Sequence, residues 1–334
     1  MDGFRIPVGA WVDAGVDWVR DNLDGLLSVI AVTVRWLVEA LTDVLLDAPI
    51  VAVILVAALI GWLVRSWQLA VGTVASFVLI LGMGQWATSM QTLALVLVAT
   101  VVAVAISVPL GIWSARSDTA RAVMKPVLDF MQTMPAFVYL IPAITFFCIG
   151  VVPGLVSTVI FALPPGVRLT ELGIRGVDAE TVEAGHAFGA TPGQILRGIQ
   201  LPLAMPTIMA GVNQVIMLAL SMAVVAGIVG ADGLGKEVVE SISTVNLAKG
   251  VEAGLSVVIL AVYLDRVTAA LGTPSAFGSS LLGLLRRRGS SGSCATRAAG
   301  RSESAVDPAE GAESDPAAQL ETATRARGRA PIAP

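Results

Sequence analysis

The chain has 334 residues, of which 55% are hydrophobic and 14% charged, with a mean hydropathy of +0.81. Soluble domains carry about 25% charged residues, so the composition excludes an ordinary soluble globule and points to a polytopic α-helical membrane protein. The net charge of −4 says little because the charges are unevenly placed, and no basic patch interleaved with aromatics supports nucleic-acid binding.

Residues 1–47 hold eight acidic residues and three arginines. Leu27, Ile30, Val34, Leu37, Leu41 and Val44 recur at 3–4 spacing, an amphipathic stripe with Arg35, Glu39 and Asp43 off it. A charge at the bilayer centre costs about 2.5–3.5 kcal/mol on insertion scales. The stretch is therefore expected to be an interfacial helix rather than a span. The same charges, and the acidic N-terminus, argue against a cleavable signal peptide.

Apolar segments follow at 48–64, 68–83, 87–113, 126–148, 151–168, 203–229 and 249–270. A span needs about 20 apolar residues, so the first two are short. Pro109, Pro135, Pro142, Pro164 and Pro165 fall inside these segments. Such breakers persist in membranes only where protein or a cavity satisfies the freed backbone groups; kinked packing and the lining of a pathway both fit. Asp129 is spaced i, i+4 from Lys125, as in a boundary ion pair. No carboxylate or histidine relay lies at depth, so a neutral passage fits better than a self-powered pump.

Lysine and arginine set the expected topology. Arg65, then Arg116, Arg121 and Lys125, then Arg168, Arg175 and Arg197, and finally Arg266 and Arg286–Arg288 fall on one side if seven spans alternate. This predicts the N-terminus outside and the C-terminus in the cytoplasm. Residues 272–334 form the remaining region. From 286 onward it is rich in Ala, Ser, Gly, Pro, Glu and Arg, a composition expected to stay disordered.

Metal and nucleotide chemistry find little support. Cys148 lies in an apolar run and Cys294 in the polar tail, with no metal spacing, and His186 is the single histidine. Gly230–Lys236 fits G-x-x-x-x-G-K, but Glu237 follows where a phosphate loop needs Ser or Thr. A flexible turn that ends a helix is the expectation.

The segment 178–202 is polar and lies between long apolar runs. Asp178 is a candidate N-cap, with Glu180 and Glu183 favoured near the helix N-terminus. Gly189 is a candidate C′ residue. Thr191, Pro192 and Gln194 make a capping-box arrangement. A short helix at 179–188 should therefore turn sharply into a second one. Ala184, Gly185 and Ala187 leave one side flat, and Glu183 and Phe188 suit docking into a groove of another protein. An ordinary surface helix fits the same residues.

Glu183-Ala184-Gly185-x-x-x-Gly189, nine residues, then Ile199-x-Leu201-Pro202 resembles the cytoplasmic signature of binding-protein-dependent ABC importer permeases, with Gly185 in place of the usual second Ala. The stretches LDFMQTMPAFVYLIP (128–142), IFALPPGVRLTELGI (160–174) and 201–235 look like the glycine betaine/proline betaine type. The resemblance implies an all-α membrane permease domain over 48–271 and no catalysis in this chain. It implies a homodimer, cytoplasmic ATPase subunits that bind ATP and Mg, and an extracytoplasmic solute-binding protein. It also implies that 178–202 is the coupling segment. The solute would be glycine betaine, proline betaine or a relative such as choline or carnitine. Pro135, Asn213, Gln214, Ser221 and Met222 are candidates to line the passage, though helix packing through small and polar residues explains the last four equally well. An ABC importer permease for another small solute, a secondary transporter or channel acting alone, and a scaffold without transport remain the competing readings.

Overall fold

A computed structural model describes residues 7–272, and all described regular structure is helical. Cys294, Arg286–Arg288 and nearly all of the 272–334 region lie outside the described residues. The helices are α1 (Val8–Asp47), α2 (Ile50–Val64), α3 (Trp67–Gly82), α4 (Trp86–Arg116), α5 (Asp118–Thr133), α6 (Leu140–Phe147), α7 (Val151–Arg175), α8 (Ala179–Ala187), α9 (Pro192–Ile195), α10 (Leu201–Ala226), α11 (Leu234–Ser243) and α12 (Leu247–Gly272). A π turn at Leu196–Gln200 joins α9 to α10.

Four stretches are long and apolar enough to cross a membrane: α4, α7, Pro192–Val229 and α12. Two bent pairs, α1 with α2 and α5 with α6, raise the number to six if each counts as one span. Seven spans were expected, and the differences have local causes. Ala48 is extended before Pro49, and the chain turns by 107° between α1 and α2. The expected unbroken span at 126–148 is instead broken, with a bend of 108°. Met134 is extended (ψ 131°) because the ring of Pro135 disfavours the helical region for the residue before it. A 3₁₀ turn, Ala136–Tyr139, then leads into α6. Tyr139 ties the break together. Its hydroxyl donates to the Met131 carbonyl, and its own carbonyl accepts from the Ser157 hydroxyl at 3.1 Å.

The core lies where α4, α7 and α10 meet. Met90, Val96, Ala99, Ala103, Ala162, Val215, Ala219 and Met222 are all fully buried. Pro109, Pro164 and Pro165 are carried inside α4 and α7. Close approach depends on small residues: a Cβ on Gly154 would lie 2.9 Å from Ala226 Cβ, and one on Gly111 would lie 2.5 Å from Thr170 Cβ.

α1 reaches this core by a face that keeps Val34 and Leu41 of the expected stripe but turns Leu37 and Val44 outward. Val38 is buried, with Val34, Leu41 and Leu45 packed beside it, whereas Val44 of the expected stripe is 66% exposed. The inward face therefore runs 34–38–41–45. A non-helical residue, Leu23, kinks the helix upstream.

Candidate functional site

The segment 178–202 folds as the capping signals require. The Asp178 carboxylate accepts from the Thr181 N–H (3.3 Å) and hydroxyl (3.1 Å) and so starts α8. The helix ends in a Schellman motif: the Ala190 N–H donates to the Gly185 carbonyl (3.1 Å) and the Gly189 N–H to the His186 carbonyl (2.9 Å). Gly189 sits at φ +77°, in the left-handed region where a side chain is strained. Thr191 then caps α9, its N–H donating to Gln194 Oε1 at 2.8 Å.

A knuckle results, with an inner and an outer side. Gly185 is buried. A Cβ there would lie 2.7 Å from Ile199 Cδ1 and 3.4 Å from Ile195 Cγ1. The flat side expected for a partner is therefore partly used within the chain: Gly185 lets α8 lie on its own following turn. Ile195 and Leu196 are buried behind it. Leu196 joins Ile174, Ala204 and Ile208 in a small separate core, which Leu201 flanks and which ties the knuckle to α7 and α10. Outward face Glu183, Ala184, Ala187 and Phe188, and Phe188 is 92% exposed. Ile199 and Leu201 are half-buried, and Pro202 is exposed as α10 begins. A phenylalanine presented this openly on a capped, braced turn is suited to entering an apolar pocket elsewhere.

Beside the knuckle, α4, α5 and α7 meet in a charge network that sequence reasoning missed. Arg121 Nε lies 2.9 Å from Glu171 Oε1, Arg175 bonds Asp118 at 2.8 Å, and the buried Ser114 donates to Glu171 Oε2 at 2.7 Å. Asp129 pairs with Arg168, not with Lys125 as the i, i+4 spacing suggested. That pairing is long-range, and local spacing carries no trace of it.

The candidate pathway residues separate. Gln214 and Ser221 are exposed on one face of α10, with Met217 between them. Asn213 turns to α12, where it donates to Asp265 Oδ1 (2.8 Å) and accepts from the Thr268 hydroxyl (2.6 Å). Met222 is fully buried, and Pro135 is exposed at the α5–α6 break.

The Gly230–Lys236 stretch is packed rather than flexible. Gly230 ends a 3₁₀ turn at φ +80°, and the Leu234 N–H donates to Thr92 Oγ1 at 2.8 Å. Lys236 bonds Asp232 at 2.8 Å, which holds its ammonium pKa above the ordinary lysine value and leaves it engaged. Among the described residues no cluster of His, Cys, Asp or Glu could hold a metal.

An all-helical bundle with four stretches able to cross a membrane, and a capped, outward knuckle between two of them, defines a polytopic membrane component. Residues 107–273 match the family of binding-protein-dependent transport system inner membrane components, and the chain belongs to that family. It is a transport component and not an enzyme. It is 47% identical over 270 residues to the glycine betaine/proline betaine transport system permease protein ProW of Escherichia coli, covering 81% of this chain and 76% of that one. It is 46% identical over 264 residues to the glycine betaine transport system permease protein OpuAB of Bacillus subtilis, covering 79% and 94%. Among solved structures, an inward-facing MetNI methionine ABC transporter shares the fold, with a TM-score of 0.52 at 22% identity over 55% of this chain and 92% of that one.

Proposed function

We propose that this chain is the permease subunit of an ABC importer for a compatible solute: glycine betaine, proline betaine or a related quaternary amine such as choline or carnitine. The observation that carries the coupling role is the braced knuckle, with Phe188 outside and the buried Gly185 packed beside Ile199. The names of the relatives support the solute class.

In this reading 178–202 is the coupling segment of a membrane domain at 48–271. The acidic region 1–47 lies at the lipid interface, and 272–334 is a cytoplasmic tail. The N-terminus is outside and the C-terminus inside. Two copies of the permease assemble with cytoplasmic ATPase subunits, which bind ATP and Mg, and with an extracytoplasmic solute-binding protein. Closure of the ATPases presses on Glu183, Ala184 and Phe188. The small core behind the knuckle passes the displacement to α7 and α10. Gln214, Met217 and Ser221 form the α10 face presented to the passage, and Pro135 marks a break beside it. A lightly polar face of this kind suits a zwitterion of zero net charge.

The test is reconstitution of the chain with its ATPase and binding protein in vesicles. Labelled betaine should enter only with ATP and all partners present, ahead of proline, choline and histidine. Accumulation by vesicles holding this subunit alone would overturn the reading in favour of a stand-alone transporter.

A further inference from the structure

A cavity of about 760 Å³ opens next to the knuckle, lined by Arg116, Arg197, Thr191 and Gln194 among others, with no carboxylate on its walls. Arg116 and Arg197 thus line one space without a carboxylate beside them. The neighbouring arginines behave differently: Arg121 has Glu171, Arg168 has Asp129 and Arg175 has Asp118. Among the described residues neither Arg116 nor Arg197 has such a partner. The remaining polar groups add donors. Gln194 uses its carbonyl oxygen on Thr191, which leaves its amide N–H₂ to give. A cavity rich in donors and bounded by two planar forks matches the oxygens of a phosphate.

The position of the cavity narrows the source of that phosphate. Arg116 closes α4, and Trp113, 58% exposed, stands one turn before it. Arg197 lies in the π turn that leads into α10. Both helices belong to stretches long enough to span. The two arginines therefore stand where two spans leave the apolar layer, beside a tryptophan of the kind enriched at that level. Basic pockets between spans on the cytoplasmic side accept anionic headgroups.

We propose that this cavity holds the phosphate of an anionic phospholipid, gripped by Arg116 from the end of α4 and by Arg197 from the coupling segment. The inference rests on the reading above that 178–202 lies at the inner membrane surface. The lipid then becomes a bridge between a spanning helix and the segment that receives force.

The test counts lipids on the purified full chain by native mass spectrometry, during titration with phosphatidylglycerol or phosphatidylcholine. The wild type should retain phosphatidylglycerol about tenfold more tightly than the R116Q/R197Q double variant, as expected for loss of charge-assisted bonds, with phosphatidylcholine equal in both. Should the double variant not fold, the single variants Arg116→Gln and Arg197→Gln decide, each with partial loss expected. Unchanged retention of phosphatidylglycerol overturns the proposal. So does protection of the wild type by inorganic phosphate alone to the same extent, which would make the site one for a free anion. Normal lipid retention with lost co-purification of the ATPase would assign the arginines to a carboxylate of that partner, and this also overturns it. Lipid counting needs neither ATPase nor uptake, so its failure is separable from failure of the transport reading.

Discussion

At Gly189 a Cβ would meet nothing within 4 Å, yet the backbone sits at φ +77°. The constraint there is conformational, and a β-branched residue would add strain of about 1–3 kcal/mol. Gly189→Val is expected to abolish ATP-dependent uptake while membrane insertion persists; normal uptake would remove the coupling role. Gly185 is constrained by space instead. The atom that a Cβ would strike is the tip of Ile199, which can swing aside. Gly185→Ala should therefore retain uptake, whereas Gly185→Leu should lose it by lifting α8 off its support. Glu171 is held by Arg121, Arg175 and Ser114. Glu171→Ala leaves the buried Ser114 hydroxyl without its acceptor, at a cost of about 1–3 kcal/mol. Thermal unfolding in detergent should show the loss, and Glu171→Gln, which keeps an acceptor, should recover part of it.

Among the elements, capping chemistry was the most legible. Asp178, Gly189 and Thr191 are local signals whose hydrogen-bond partners lie within a few residues, so α8 and the start of α9 could be placed from spacing alone. The break between α5 and α6 was less so. Pro135 was visible, but a proline can kink a span or interrupt it, and the choice here is made by Tyr139 bonding Met131 and Ser157. The return from α10 to α11 is another tertiary decision. A Cβ on Gly235 would lie 2.6 Å from the carbonyl oxygens of Ala223 and Val224. Gly235→Ala should destabilise the fold by about 1–3 kcal/mol through overpacking. Gly254→Ala, with nothing within 4 Å, should leave the melting temperature unchanged or raised; equal effects at both positions would contradict the packing described.

For the whole molecule, the family match covers 107–273 and the alignment with ProW covers 81% of the chain. Removal of residues 289–334, which lie beyond the family match, is expected to leave uptake nearly unchanged; a large loss in the reconstituted assay would show that the tail takes part in transport.

The sequence by itself determined the membrane class, the helical architecture and the place of the capped knuckle at 178–202. Hydropathy and capping are properties of contiguous residues, and contiguous residues can be read in order. Only the tertiary structure decided that Val38 and Leu45 rather than Leu37 and Val44 complete the inward face of α1, that Gly185 serves its own chain, that Asp129 pairs with Arg168 and that Arg116 and Arg197 line one cavity. Each of these joins residues far apart in the chain or on opposite sides of a helix. Packing sets such neighbours, and no local spacing records them.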